Sequence, residues 1–257
     1  MTLRTVTATR YVTPFREGGS LPGLVEADDL GMYVLKFRGA GQGIKSLVAE
    51  LIVGELARAL GFNVPEIVLA DLDPELARPE PDQEVQDLLR ASGGLNVGFD
   101  YLPGSFDFNP LVRDPGPDLA ARLLWFDALT LNVDRSWRNP NLLLWHRDIW
   151  LIDHGASLIF HHSWSPGWTP AAAYRFDAAD HVMFPVAGSL TAADAELKTQ
   201  VPAALGQVLA DVPDDWLVQD GATAEDIRAR YAAYFAARLA ASADWVQALE
   251  VARAARV

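Results

Sequence analysis

Residues 131–155 read LNVDRSWRNPNLLLWHRDIWLIDHG, and this stretch decides the fold. Two apolar runs, 142–145 and 149–152, flank the polar residues 146–148. Short apolar runs separated by a polar turn are the pattern of a β-hairpin. The sequence therefore predicts a loop, a hairpin and then an acidic segment, in that order.

Two carboxylates and one amide lie at the ends of these elements. Asp134 and Asn139 lie in the polar loop before the hairpin, and Asp153 follows its second strand. A loop carboxylate can accept a proton from an attacking hydroxyl, while an amide oxygen and a second carboxylate suit Mg²⁺. This spacing is typical of a phosphotransferase site. A chance spacing, with Asp134 only capping a turn, is the alternative interpretation.

The composition predicts a globular protein. The chain has 257 residues, of which 50% are hydrophobic, and this is enough for one large domain or two lobes. No apolar run reaches the roughly 18 residues of a membrane helix, and the N-terminus has no apolar signal core. Cysteine is absent. We therefore expect a cytoplasmic protein with no membrane partner.

The charge of the chain disfavours nucleic-acid binding. Its net charge is −13, with 34 acidic and 21 basic residues, and such a surface repels nucleic-acid phosphates. One local basic cluster, formed by Arg135, Arg138 and Arg147, lies beside the candidate site. These arginines are expected either to hold phosphates or to pair with nearby carboxylates.

The N-terminal part has the pattern of a small sheet with a glycine-rich turn. Three antiparallel strands are expected at Arg4–Phe15, Leu24–Ala27 and Gly31–Phe37. Gly18, Gly19 and Ser20 form the tip between the first two strands, where backbone N–H groups can approach a phosphate closely. An ordinary hairpin turn would have the same composition.

Lys36 lies near the end of an apolar strand, where a buried ammonium group needs an acidic partner or a phosphate. The following segment, 44–60, has the apolar spacing of an amphipathic helix. Glu55 lies within its apolar stripe, whereas Glu50 lies nearer its N-terminus. Either glutamate can be the partner of Lys36, or a surface residue paired locally.

The rest of the chain predicts two further strands and four helices. The strands are expected at 64–70 and 95–102, and the helices at 119–131, 191–205, 223–242 and 245–255. His161 and His162 are adjacent but lack further ligands at zinc-like spacing, so a structural role is favoured.

These segments resemble the HipA-like kinase family, the persistence-kinase branch of the protein-kinase-like fold. The resemblance runs from Tyr11 to about His162. It is carried by VLKF at 34–37, AELIVGELARALGFNVPE at 49–66, NVDRSWRN at 132–139 and LIDHG at 151–155. Each segment is moderately specific, and their order and spacing strengthen the match.

The resemblance implies roles for individual residues. Lys36 matches the nucleotide-binding lysine, and the helix match favours Glu50 as its partner. Asp134 matches the catalytic base, whereas Asn139 and Asp153 match the metal ligands.

The resemblance also implies ATP, Mg²⁺ and transfer of a phosphoryl group to a hydroxyl acceptor, such as a Ser or Thr of a protein. Gly18, Gly19 and Ser20 fall at the phosphate-contacting hairpin of the family. The chain departs from the family pattern because His154, rather than an aromatic residue, follows the metal-binding aspartate. It is also shorter than the toxin kinases, so the sequence does not support carrying over a toxin role or a DNA-binding antitoxin partner.

We therefore expect an α+β, two-lobed protein-kinase-like fold. Residues 1–103 are predicted to form a nucleotide-binding lobe with an antiparallel sheet and one main helix, and residues 104–257 a mainly helical catalytic lobe. In that arrangement the backbone near 98–102 would meet the adenine edge. A catalytically silent nucleotide- or protein-binding module on the same fold is the main alternative. A metal-dependent phosphohydrolase is a weaker one.

Overall fold

The computed structural model describes residues 3–16, 21–41, 43–164, 174–218 and 221–256. The predicted phosphate-contacting tip, Gly18, Gly19 and Ser20, lies outside the described residues. None of the described helices is long and apolar enough to cross a lipid bilayer.

The N-terminal lobe is a five-stranded barrel with two helices. Its strands are β1 (Arg4–Pro14), β2 (Gly23–Ala27), β3 (Met32–Lys36), β4 (Ile67–Leu72) and β5 (Gly94–Asp100). The strand order is β1-β2-β3-β5-β4. Helix α1 (Ile44–Ala59) follows β3, and the shorter helix α2 (Gln83–Ala91) lies between β4 and β5. The predicted strands and main helix are therefore present.

The barrel closes through a strand pairing that the sequence did not predict. β1 pairs with β2, and β2 with β3, in the expected antiparallel manner. The first half of β1 also pairs in parallel with β4, from Arg4 opposite Val68 to Thr7 opposite Asp71. The interior is filled by small and branched side chains such as Val6, which is 3% exposed. This pairing gives β1 a partner strand along both edges.

The C-terminal lobe is mainly helical. Its helices are α3 (Pro117–Thr130), α4 (Leu190–Leu197), α5 (Val201–Ala210), α6 (Ala224–Ala240) and α7 (Ser242–Ala254). The single helix expected over 191–205 is two helices, and Pro202 lies in the first turn of the second. Proline is tolerated there because the first N–H groups of a helix have no intrahelical partner.

The predicted hairpin is confirmed. Strand β7 (Leu142–Trp145) pairs with β8 (Asp148–Leu151), and the short strand β6 (Phe106–Asp107) adds a third strand. Both turn residues, His146 and Arg147, have positive φ angles of 50° and 74°. A two-residue loop of this kind matches the twist of antiparallel strands.

One hydrophobic core spans both lobes, and the barrel interior is separate from it. The larger core includes α1 residues such as Leu51 and Ile52 together with α3 residues such as Leu124 and Phe126. Helix α1 also packs against α5. The helix that carries Glu50 is therefore held by the C-terminal lobe as well as by the barrel.

Candidate active site

Lys36 forms the centre of a buried charge cluster. It is the last residue of β3 and is only 9% exposed. Its Nζ lies 2.8 Å from Asp153 Oδ1 and 3.4 Å from Glu50 Oε1. Residues from a strand, a helix and the segment after β8 therefore meet at one ammonium group.

Of the two glutamates that the sequence left open, Glu50 contacts Lys36. Glu50 is 1% exposed, on the face of α1 that is turned toward the site. Glu55 instead forms an ion pair with Arg58, one turn further along the same helix, at 2.8 Å. Its position in the apolar stripe is thus explained by a local partner.

The three groups of the cluster differ in their pKa shifts and therefore in how fully each is charged. Burial raises the pKa of Glu50 to about 7, against the opposing effect of the Lys36 ammonium. Burial alone would lower the pKa of Lys36, but Glu50 and Asp153 together raise it above its usual value. Burial would also raise the pKa of Asp153, but Lys36 holds it below its usual range. Lys36 and Asp153 therefore form the more strongly charged pair.

The segment after β8 is fixed against α1 by close contacts. The His154 backbone N–H donates to Glu50 Oε2 at 2.7 Å. A Cβ on Gly155 would collide with the hydroxyl of Ser46 and lie 3.1 Å from Glu50 Oε1. A larger residue at position 155 would thus have to displace the side chains of Ser46 and Glu50. Asp153 itself has a left-handed φ of 55°.

The predicted loop residues lie together at a second point of the site. Asp134 Oδ2 accepts hydrogen bonds from the side-chain amides of Asn139 and Asn141, both at 3.0 Å. Both amides donate to the same oxygen, so neither occupies Oδ1. The Asn139 amide group is directed by this bond, and its side-chain oxygen is left for another partner.

Asn141 is a site residue that the sequence reasoning missed. Its φ of 49° is left-handed, a conformation that asparagine tolerates better than most residues. Its carbonyl accepts the backbone N–H of Ile152 at 3.1 Å, immediately before Asp153. The loop with Asp134 and the segment with Asp153 are therefore joined by one residue. In the sequence, the only local sign of an unusual backbone at Asn141 was its position directly after Pro140.

The donor set of the site suits a hard metal ion. Among the described residues, no group of three or more His, Asp or Glu side chains could hold a metal by itself. Asp153 and the amide oxygen of Asn139 offer two oxygen ligands. Mg²⁺ accepts such a sparse set because it keeps several waters and also binds substrate phosphates. The residues present therefore fit Mg²⁺ and do not fit a structural zinc ion.

The basic cluster expected beside the site is divided among different environments. Arg135 is buried and donates from Nε to Asp127 Oδ2 at 2.7 Å. The expectation that it holds a phosphate is therefore wrong, because its charge is already paired away from the surface. The Arg138 guanidinium stacks over the exposed ring of Trp137 at 4.1 Å. Arg147 lies in the exposed hairpin turn.

The histidines have structural environments. Burial, and next the nearby Arg135, lower the pKa of His154 to about 3, so its ring is neutral. His161 is also buried, and its Nδ1 lies 2.9 Å from the Tyr231 hydroxyl. Its Nε2 lies 3.2 Å from that of His162. His161 and His162 both belong to a 3₁₀ turn, Ile159–Ser163.

Comparison with known proteins agrees with this geometry. The sequence matches the model of the HipA-like kinase family over residues 9–244. Comparison with curated proteins gives no match. Two solved kinases have similar folds, at identities that establish the fold alone.

The first is the proinflammatory kinase CtkA of Helicobacter pylori, with a TM-score of 0.55 and 12% identity, covering 97% of this chain and 98% of that one. The second is the Golgi casein kinase with Mn and ADP bound, with a TM-score of 0.51 and 13% identity, covering 93% and 74%. The expected two-lobed, kinase-like α+β fold is confirmed. With a family match over most of its length, the chain belongs to the HipA-like kinase family.

Proposed function

We propose that this protein is an ATP- and Mg²⁺-dependent kinase that transfers a phosphoryl group to a hydroxyl acceptor, such as a Ser or Thr of a protein. The observation that carries the proposal is the buried ammonium of Lys36 between Glu50 and Asp153. Lys36 and Glu50 are buried and Asp153 is partly exposed, and burying such charged groups is costly even when they are paired. Binding of a triphosphate with its metal ion would give this cluster of charges a function.

Each side chain has a role in this proposal. Lys36 would hold the α- and β-phosphates, with Glu50 keeping its ammonium in place. Asp153 and Asn139 would hold Mg²⁺, which neutralises charge on the transferred phosphoryl group. Asp134 would orient the attacking hydroxyl and accept its proton through Oδ1, the oxygen that neither amide occupies. Most of the catalysis would be positioning and charge stabilisation.

The adenine edge is expected at Leu102. β5 is paired on both sides, with β3 and with β4, so its backbone groups are used within the barrel. The N–H groups of Asp100 and Tyr101 donate to the carbonyls of Glu66 and Met32. In the described part of the chain, Leu102 N–H is the first group after β5 without an acceptor. Within the expected range 98–102 it is the available donor.

The glycine-rich turn remains part of the proposal. In the sequence, Gly18, Gly19 and Ser20 lie between β1 and β2, and β2 pairs with β3, the strand that carries Lys36. Backbone N–H groups at such a turn would contact the phosphates without an intervening Cβ.

The test combines nucleotide binding with phosphoryl transfer. ATP is titrated with and without Mg²⁺ into the wild type, Asp153→Ala, Asp134→Asn and the control Asp148→Ala. Asp148 is an exposed aspartate of the same hairpin, so its removal reproduces the loss of a carboxylate outside the site. Transfer is followed with γ-labelled ATP and total cellular protein as acceptor.

We expect Mg²⁺ to tighten binding in the wild type and the control but not in Asp153→Ala. Asp134→Asn should bind nucleotide normally and lose transfer by at least about 100-fold, the range of general-base effects. Normal binding without transfer in the wild type would instead favour the catalytically silent module. Transfer by Asp134→Asn at the wild-type rate would remove Asp134 from its role.

A further inference from the structure

Three polar side chains are buried behind the catalytic loop, outside the set of residues that would touch nucleotide or metal. They are Asp127 on α3, Arg135 directly after Asp134, and His181. Asp127 Oδ2 accepts from Arg135 Nε at 2.7 Å and from His181 Nε2 at 2.9 Å. The side chains of Asp127 and Arg135 are both fully inaccessible. A buried ion pair contributes little net stability, so this Asp127–Arg135–His181 cluster calls for another explanation.

The cluster is connected to Asp134 by a short series of contacts. Arg135 Nη1 donates to the carbonyls of Pro140 and Asn141. Asn141, whose backbone is left-handed, then donates its side-chain amide to Asp134 Oδ2 at 3.0 Å. Arg135 thus fixes the backbone of Asn141, and Asn141 in turn holds the carboxylate of Asp134.

His181 connects a second segment to the same loop. Its Nδ1 accepts the Met183 backbone N–H at 3.1 Å, which leaves the proton on Nε2 for Asp127. The backbone around His181 pairs with three successive loop residues. Val182 N–H donates to Arg135 O, Ser136 forms a β-bridge with His181, and Trp137 N–H donates to Asp180 O. The loop between Asp134 and Asn139 is therefore fixed from the side opposite its exposed residues.

We propose that Asp127, Arg135 and His181 are positioning residues that set the location of the Asp134 carboxylate. This inference rests on the proposed kinase function, because Asp134 is the group that orients the acceptor hydroxyl there. Lys36, Glu50 and Asp153 do not contact the cluster through any hydrogen bond between described side chains. Loss of the cluster should thus lower kcat and leave the affinity for metal-free ATP unchanged, since Asn139, a proposed Mg²⁺ ligand, lies on the same loop as Asp134. A misplacement of about 1 Å in a reacting group can cost about 100-fold in rate.

Two substitutions of His181 separate its two hydrogen bonds. In His181→Gln, the amide nitrogen reaches the position of Nε2 and can still donate to Asp127. In His181→Asn, the side-chain oxygen replaces Nδ1 as acceptor for Met183, but no group reaches Asp127. Both variants remove the ring, and Asn is one methylene shorter than Gln, so the two are compared at equal melting temperature. They differ in the bond that connects His181 to the cluster.

We expect His181→Asn to lose at least 10-fold in kcat and His181→Gln to stay within about threefold of the wild type. The Kd for ATP measured without Mg²⁺ should stay within twofold in both. Melting temperatures are measured to show that both variants are folded. Equal kcat values in the two variants, at equal melting temperature, would overturn the proposal.

A double substitution, Asp127→Leu with Arg135→Met, tests the cluster without leaving one buried charge unpaired. If the cluster only supports folding, the apolar pair should melt cooperatively and keep the wild-type kcat, which would also overturn the proposal. If it positions Asp134, a folded double variant should transfer at least 10-fold more slowly.

Hydrogen exchange separates this inference from the kinase proposal. The Asn139 backbone N–H donates to the Ser136 hydroxyl within the loop. Its exchange should be faster in His181→Asn than in His181→Gln, whether or not any acceptor is phosphorylated. A wild type that transfers no phosphate would contradict the kinase proposal. Equal exchange in the two variants would contradict the positioning role.

Discussion

Glu50 and His154 are both buried, and the backbone N–H of His154 donates to Glu50 Oε2. Both groups are driven toward their neutral forms because burial disfavours charge. For an acid this raises the pKa, and for histidine it lowers the pKa. The two residues should therefore give the stability of the protein opposite dependences on pH.

The Glu50 contribution should decrease as pH rises. The pKa of Glu50 is about 7 in the folded protein and 4.5 as the ordinary value, so the folded state retains a proton that the unfolded chain releases. This stabilisation is fully present below pH 4.5 and lost as pH rises to about 7. Glu50→Gln should remove this part of the pH dependence, at most about 3 kcal/mol. Urea unfolding at pH 5, 6, 7 and 8 measures it, and equal slopes in both proteins would contradict the assignment.

The His154 contribution should decrease as pH falls. The folded ring has a pKa of about 3 and the ordinary value is 6.5, so only the unfolded chain takes up a proton between these values. The stabilisation is present above pH 6.5 and is lost toward pH 3, by up to about 1.4 kcal/mol per pH unit. His154→Phe should reduce this acid sensitivity.

The measurement is the free energy of unfolding at pH 7.5 and at pH 5. His146→Phe is the matched control, because His146 is exposed in the hairpin turn. Unchanged acid sensitivity in His154→Phe would show that this ring is not the buried neutral group. Reduced acid sensitivity in His154→Phe would also explain the departure from the family pattern, since a neutral buried histidine then occupies the place of an aromatic ring.

At the level of elements, helix α1 depends on one glycine for its distance from the barrel. A Cβ on Gly54 would lie 2.5 Å from Ile67 Cδ1 and 3.5 Å from His154 Cδ2. Because Ile67 is a buried residue of β4, a larger residue at position 54 would displace the Ile67 side chain or move the helix and, with it, the Glu50 carboxylate. Gly206 in α5 has no atom within 4 Å of its Cβ position. The two glycines therefore make a matched pair within helices.

We expect Gly54→Ala to destabilise the protein by about 1–3 kcal/mol, the range for overpacking, and to weaken nucleotide binding. Gly206→Ala should instead stabilise the protein by about 0.5–1 kcal/mol, since alanine favours a helix over glycine. Urea unfolding and ATP titration measure both effects. Stabilisation of similar size in both variants would show that α1 does not need this close approach.

The sequence predicted these elements where local patterns determine them. The hairpin β7–β8 follows from two apolar runs and a polar turn, and Lys36 from a cation on an apolar strand. The parallel pairing of β1 with β4 could not be predicted, because strand partners distant in sequence are chosen by the whole barrel. The direction of the Arg135 side chain was missed for a related reason. Its partner Asp127 lies on α3, where a helical pattern does not separate a paired aspartate from an exposed one.

At the scale of the whole molecule, α1 belongs to the catalytic lobe as much as to the nucleotide lobe. Its buried side chains share one core with α3, and its end is tied to the hairpin. Leu151 N–H donates to Asn63 O at 2.8 Å, and Arg122 donates to the Leu60 carbonyl at 2.8 Å. The predicted boundary between residues 103 and 104 thus divides the chain, but it does not divide the hydrophobic core.

A fragment of residues 1–103 should therefore fail to fold cooperatively. It would expose the α1 side chains that now pack against α3 and α5, and a lobe of this size has little core to spare. Thermal unfolding followed by circular dichroism compares the fragment with the full chain. A monomeric fragment with a sharp transition would show that the barrel and α1 are independent of the catalytic lobe.

The parallel pairing of β1 also has a consequence during synthesis on the ribosome. Arg4 must wait for Val68, 64 positions later (68 − 4), before one edge of its strand finds a partner. At about 5–20 residues per second, that edge stays open for roughly 3 to 13 seconds. Throughout this interval the nascent chain offers unpaired N–H and C=O groups to other polypeptides. Newly made protein, rather than the folded protein, should therefore depend most on chaperones.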